Sequence, residues 1–405
     1  MDTVITNPYP EFSEEIKNKW LQDGYITPEL DYEVCKVIEK MYCKLVQLVP
    51  LYNEQSDYTI YSGYGGTAFL SYKMFKKYGD EKYFEVAKYL TNLALMNLKN
   101  ECISFLKGDA GPLALGILIN MIDEDYEKAD QLIGDLIELG DADENNPFMV
   151  VHNDILSGRA GYLYALIFVD QQLDEPVIPE MFLRKQVEQI LISGFRLAKR
   201  EASLIPLEYE FCGLKFLGAA HGIAGTLYML LIANRYLTDY ELNCIIRPTL
   251  NSLFAARLHS QNFAMFAAEE EDELVQWCHG APGMIHLAVL ASMVYFCPSY
   301  YKMALDFSSM IWKRGLLKKG YSICHGVAGN AYIFLYLYKK TQLEVFLYKA
   351  ACFGDYCLNY PVYEGMKPDW PYSLFQGMAG IIHFLMDLRD PISSCFPCYE
   401  LDVSK

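Results

Sequence analysis

No stretch of this 405-residue sequence is apolar enough, for long enough, to cross a bilayer. The longest candidate, residues 283–296, contains His286 and Ser292 and falls short of the roughly 20 residues required. The start, Met1-Asp2-Thr3-Val4-Ile5-Thr6-Asn7-Pro8, lacks the basic and apolar regions of a signal peptide, and residue 2 is not the glycine that myristoylation needs. Basic residues are also in deficit. With 34 Lys and Arg against 51 Asp and Glu, the net charge of -17 argues against nucleic acid and against an anionic membrane surface as partners. Its densest local expression, residues 269–273, reads as a solvated acidic loop. No Ser/Gly-rich linker interrupts the chain, and no segment sustains the period-two alternation of a half-buried strand. The twelve cysteines are irregularly spaced, which suits reduced intracellular thiols better than a disulfide framework and points to a cytoplasmic location. A peripheral membrane contact through a modification without a motif stays compatible with all of this.

What the sequence does have is a repeat. Gly-x-x-Gly followed by an apolar run occurs at Gly63/Gly66, Gly108/Gly111, Gly158/Gly161, Gly222/Gly225, Gly280/Gly283, Gly326/Gly329 and Gly377/Gly380. A recurrence every 45 to 64 residues is the mark of units that bury their apolar faces against one another. The runs at 226–233, 284–294, 330–338 and 381–388 are apolar almost all round and predict buried helices. Amphipathic segments alternate with them, at 30–50, 81–98, 127–139, 181–199, 241–258, 301–312 and 344–359. Seven buried and seven amphipathic helices predict an all-α fold, an α/α toroid with an inner and an outer ring. The expected organisation is one domain, with residues 1–60 as an N-terminal extension plus first outer helix and residues 61–405 as the seven-repeat toroid. The glycines are expected to permit positive φ at each turn and to let backbones approach.

Aligning the seven copies exposes the chemistry. The residue before the first glycine is Ser62, Lys107, Ser157, His221, His279, His325 and Gln376 in turn; one place earlier stand Tyr61, Leu106, Leu156, Ala220, Cys278, Cys324 and Phe375. In a closed ring these equivalent loops share one end. Two Cys-His-Gly copies beside an Ala-His-Gly copy supply the thiols and imidazoles that a zinc site uses. The residues alone leave two sets open: Cys278, Cys324 and His325, or the same set closed by His279. Four protein ligands would make the site structural, whereas three leave a position for water or substrate. His286 and His383 occupy an aromatic position of the inner ring and read as core residues, His152 and His259 as surface ones. Cys395 and Cys398 form a lone C-x-x-C that reads as a feature of the tail.

The segments Trp277-Cys278-His279-Gly280-Ala281-Pro282-Gly283, Cys324-His325-Gly326-Val327-Ala328-Gly329 and Gly218-Ala219-Ala220-His221-Gly222 resemble the signature motifs of eukaryotic LanC-like proteins, relatives of the bacterial lanthionine cyclases. The resemblance extends to residues 105–113, 315–321 and 373–405. It implies a seven-fold α/α toroid and one zinc ion per chain held by Cys278, Cys324 and His325. It further implies glutathione as co-substrate and a thiol addition to dehydroalanine or dehydrobutyrine residues of proteins or peptides. His221 is then the candidate proton donor, with a purely orienting role as its alternative. Asp154 would position substrate or His221, or else cap a helix or sit in a solvated loop. Lys319 matches a glutathione-contacting lysine, and Lys367 stands where arginine is expected, without arginine's bidentate fork. Two other classes compete: a non-catalytic zinc- and glutathione-binding signalling or scaffold protein, and a toroidal hydrolase built on carboxylates such as Asp109 and Asp154.

Overall fold

Each glycine pair ends a loop and starts a helix. In the computed structural model, which describes residues 4–48, 57–145, 152–359 and 368–403, the inner helices begin one residue after the first glycine of each pair, except the second, which begins at Ala110 after Asp109. A short helix α1 (Glu14–Lys17) and a hairpin of β1 (Leu21–Gln22) and β2 (Tyr25–Ile26) precede α2 (Pro28–Leu48). There follow α3 (Tyr64–Tyr78), α4 (Glu81–Leu95), α5 (Ala110–Ile122), α6 (Tyr126–Asn145), α7 (Arg159–Gln172) and α8 (Glu180–Arg200). The chain continues through α9 (Ile223–Ile232), α10 (Arg247–Ala255), α11 (Ala281–Val294), α12 (Pro298–Arg314), α13 (Val327–Thr341), α14 (Glu344–Leu358) and α15 (Met378–Leu388). A π-helical stretch, Glu241–Ile246, leads into α10, where Pro248 has no N–H to offer the α register.

The odd-numbered helices from α3 to α15 form the inner ring, each packed on the next, and α15 packs on α3 to close it. The even-numbered helices form the outer ring. Their partners explain the closure: α4 to α14 each pack on the inner helix before them, while α2, first in the sequence, packs on α15, the last. Arg389 fastens this seam, donating from Nε to Asp31 Oδ1 at 2.6 Å and from Nη2 to Oδ2 at 3.2 Å. No helix among the described residues is long and apolar enough to cross a membrane.

The glycine expectation is half corrected. Of the fourteen motif glycines only Gly280 has a positive φ, +106°; the rest serve close approach instead. A Cβ on Gly329 would lie 2.0 Å from the carbonyl oxygen of Ile323, because the first turn of the inner helix presses on the loop that precedes it. That is why the second glycine lies inside the helix rather than ahead of it.

The C-terminal residues fill the hole of the ring. Tyr399 is fully buried, its ring 4.4 Å from Tyr228 and 5.2 Å from Trp277, and Phe396 stacks on Trp277 at 5.2 Å. Lys339, in the last turn of α13, pairs with the buried Glu400 and donates to the Ser394 carbonyl at 2.6 Å. Cys395 and Cys398 belong to this plug and are not joined to each other.

Candidate metal centre at one end of the ring

Seven backbone hydrogen bonds run around one end of the toroid and link the loops of neighbouring copies. Tyr61 N donates to Leu106 O, Lys107 N to Leu156 O, Leu156 N to Ala220 O, and Ala220 N to Cys278 O, at 2.9–3.5 Å. Cys278 N then donates to Cys324 O, Cys324 N to Phe375 O, and Phe375 N to Tyr61 O, at 2.9–3.2 Å. This circle brings equivalent positions side by side, so two cysteines some 50 residues apart become neighbours.

The sulfurs of Cys278 and Cys324 and a ring nitrogen of His325 all lie within 4.8 Å of one another. Donors around a tetrahedral zinc, with bonds of about 2.0–2.3 Å, stand roughly 3.3–3.8 Å apart, so a small contraction would close this set on the ion. The donor chemistry fits as well: two buried thiols and one half-buried imidazole. Burial pushes the Cys278 thiol well above its usual range, reinforced by the proton it shares with Cys324. For Cys324 burial acts in the same direction, but hydrogen bonds from Cys278, His325 and Tyr61 outweigh it and hold this sulfur well below the usual thiol range. The pair is already part-way to the deprotonated form that a metal needs.

His279 is not part of this cluster. Its ring faces Phe216 at 5.5 Å, its Nδ1 is buried without a hydrogen-bond partner, and burial pushes its pKa down to about 4. The three-residue set is therefore the one the geometry assembles. Tyr61 and Gln376 stand beside it: the Tyr61 hydroxyl donates to Cys324 Sγ at 3.1 Å, and Gln376 Nε2 donates to that hydroxyl oxygen at 3.4 Å. Sequence reasoning tabulated both positions but gave them no role. The only signal was register: Tyr61 stands at the position of the cysteines and Gln376 at that of the histidines.

His221 and Asp154 meet one copy further round. His221 Nδ1 is 3.4 Å from Asp154 Oδ1, too poorly aligned for a hydrogen bond, and both Nδ1 and Asp154 Oδ2 are buried without a hydrogen-bond partner. Asp154 Oδ1 also accepts from Ser157 N at 2.8 Å, so the carboxylate braces its own loop while facing the imidazole. Phe211 stacks on His221 at 4.0 Å and 24°. It lies one residue before a left-handed turn at Cys212 and Gly213. His152, expected at the surface, is half-buried against the same phenylalanine at 4.5 Å; His259 is exposed as expected. His286 and His383 are core residues. Asp109 is spent on structure, accepting from Tyr58 Oη at 2.5 Å and from Asn100 N at 2.7 Å, which leaves the hydrolase reading without a carboxylate pair. Lys319 is exposed, and its charge reaches Cys278 and His279. Lys367 lies outside the described residues. In the acidic loop, Asp272 departs from a purely solvated role: Arg314 Nη1 contacts both its carboxylate oxygens, at 2.9 and 2.8 Å.

A closed α/α toroid carrying a Cys-Cys-His cluster at one end is thus the class to which fold and site assign the molecule. Nisin cyclase, a solved structure, shares the fold with a TM-score of 0.63 at 16% identity, covering 86% of this chain and 94% of that one. The family described as lanthionine synthetase C-like protein matches residues 54–401. "Glutathione S-transferase LANCL1" of Danio rerio is 35% identical over 98% of this chain and 99% of its own length. "LanC-like protein GCL1" of Arabidopsis thaliana is 33% identical over 85% of this chain and 82% of its own. The chain belongs to the eukaryotic branch of the lanthionine synthetase C-like family.

Proposed function

We propose that the protein is a zinc-dependent transferase that adds the thiol of glutathione to dehydroalanine or dehydrobutyrine residues in proteins or peptides. The observation that carries this reading is the convergence of two thiols and an imidazole beside a His–Asp pair at one end of the ring. The name of the Danio rerio relative supports glutathione as the thiol. Cys278, Cys324 and His325 would hold the metal, which when bound ionises a coordinated thiol at neutral pH. Lys319 would anchor a carboxylate of the tripeptide, and Lys367 a second one, as a point charge. The sulfur forms a bond to the β-carbon while the π electrons of the double bond move to the α-carbon. His221 delivers a proton there from Nε2, and the proton lost by the thiol restores the imidazolium through solvent. Asp154 faces Nδ1 at 3.4 Å and would orient the ring so that Nε2 points to the substrate.

The test is mass spectrometry of a dehydroalanine peptide incubated with glutathione and zinc-loaded protein. Wild type is expected to add one glutathione mass. Cys324→Ala should lose both zinc and turnover. His221→Ala should keep zinc and lose about a hundredfold or more in rate. No adduct from wild type that holds one zinc and binds glutathione would overturn the transferase reading in favour of a binding protein.

A further inference from the structure

When loaded as proposed, the centre holds three thiolate sulfurs: those of Cys278 and Cys324, and that of glutathione. Only the last is meant to attack an electron-poor double bond. Each protein sulfur is chemically similar to it, so its surroundings must set it apart. The structure treats Cys324 differently from Cys278, and the difference comes from two copies further round the circle.

Tyr61 occupies in the first copy the position that Cys324 occupies in the sixth. Its backbone accepts from Phe375 N at 3.2 Å, and its ring stacks on Phe375 at 5.0 Å and 22°. Lying along Phe375, the phenol spans the seventh copy and ends 3.1 Å from Cys324 Sγ. Only 7% of Tyr61 is exposed, so no water competes freely for its hydrogen. Gln376 Nε2 occupies the acceptor side of the hydroxyl, which leaves the O–H hydrogen directed at sulfur. A phenol, ionising near pH 10, is a donor at neutral pH. A hydrogen bond to a metal-bound thiolate draws electron density off the sulfur and stabilises its anionic form, which weakens it as a nucleophile.

We propose that Tyr61 is a positioning residue of the metal centre, whose hydroxyl, aimed by Gln376, caps the Cys324 thiolate so that this sulfur stays a ligand and leaves nucleophilic attack to the substrate thiol. The inference rests on the metal-centre reading above. It assigns to a ring-closing residue the task of distinguishing a structural sulfur from a reacting one.

Cobalt substitution of the full-length protein reads the sulfur directly, without turnover. A more electron-rich thiolate moves the sulfur-to-cobalt charge-transfer band to longer wavelength. Tyr61→Phe keeps the stack on Phe375 and removes only the donor; it is expected to bind one cobalt per chain with this band shifted to longer wavelength. Gln376→Leu, which leaves the phenol but frees it to rotate, should shift the band in the same direction by less. A band at the wild-type position in cobalt-loaded Tyr61→Phe overturns the role of Tyr61 alone. If Tyr61→Phe proves insoluble, an unmoved band in Gln376→Leu overturns it instead. Failure of the wild-type chain to take up cobalt would overturn the metal-centre reading and this inference with it.

Discussion

At His286 the inner ring buries an imidazole with neither nitrogen hydrogen-bonded, its ring 4.3 Å from that of Tyr336. Burial pushes its pKa down to about 3. In the unfolded chain the same group titrates near pH 6.5. The sign follows: the unfolded state binds the extra proton, so the stability His286 confers is complete above about pH 6.5 and is lost as the pH falls toward 3. At pH 5 that loss is roughly 2 kcal/mol. His286→Leu should therefore be close to neutral at pH 7, since no hydrogen bond is broken, and should lose about 2 kcal/mol less than wild type between pH 7 and 5. Urea unfolding at the two pH values checks this, and equal acid losses in both proteins would refute it. Burial pushes His383 down to about 3 as well, although its Nδ1 meets Tyr332 Oη at 2.6 Å and Asp387 sits one turn away. Burial pushes Asp387 up to about 6, so it opposes the histidines as the pH rises from about 4 to 6.

The repeat element is a loop that drops its carbonyl onto the first turn of an inner helix. Glycine is needed there for space, not for conformational freedom. Gly329→Ala would drive a methyl group against Ile323 O and should cost about 2 kcal/mol; because Ile323 precedes Cys324, metal affinity should fall as well. Gly134 provides the contrast. It is exposed in α6 with nothing within 4 Å of an added Cβ, so Gly134→Ala should stabilise by up to about 1 kcal/mol through helix propensity. Chemical denaturation of the two variants would show opposite shifts, and a shift of the same sign in both would discard this account of the motif.

For the whole molecule, closure depends on chain ends. The first outer helix packs on the last inner one, and residues 396–400 plug the hole behind the Cys-Cys-His cluster. Trp277, which adjoins Cys278, is the floor between plug and site. Tyr399→Ala would empty a fully enclosed position among Tyr228, Trp277 and Phe396 and is expected to cost about 4 kcal/mol. A loss below about 1 kcal/mol in equilibrium unfolding would mean that the plug is not part of the cooperative core.

Periodicity determined the ring. Seven glycine pairs and the alternation of wholly apolar with amphipathic segments specify two layers of helices, because each unit can bury its apolar face only against the next. Register determined the neighbourhood: cysteines at equivalent places in adjacent copies become neighbours once the loops pair backbone to backbone, which made Cys278 and Cys324 legible but could not separate His325 from His279, in the same register; the folded geometry sets His325 with the sulfurs. What sequence could not supply were relations between copies that differ in residue type. The phenol of Tyr61 reaching across Phe375, the facing of His221 by Asp154, the burial of His152 against Phe211 and the insertion of Tyr399 into the hole depend on side-chain direction and ring curvature. Those are set when the last inner helix meets the first outer one, and only the tertiary structure decided them.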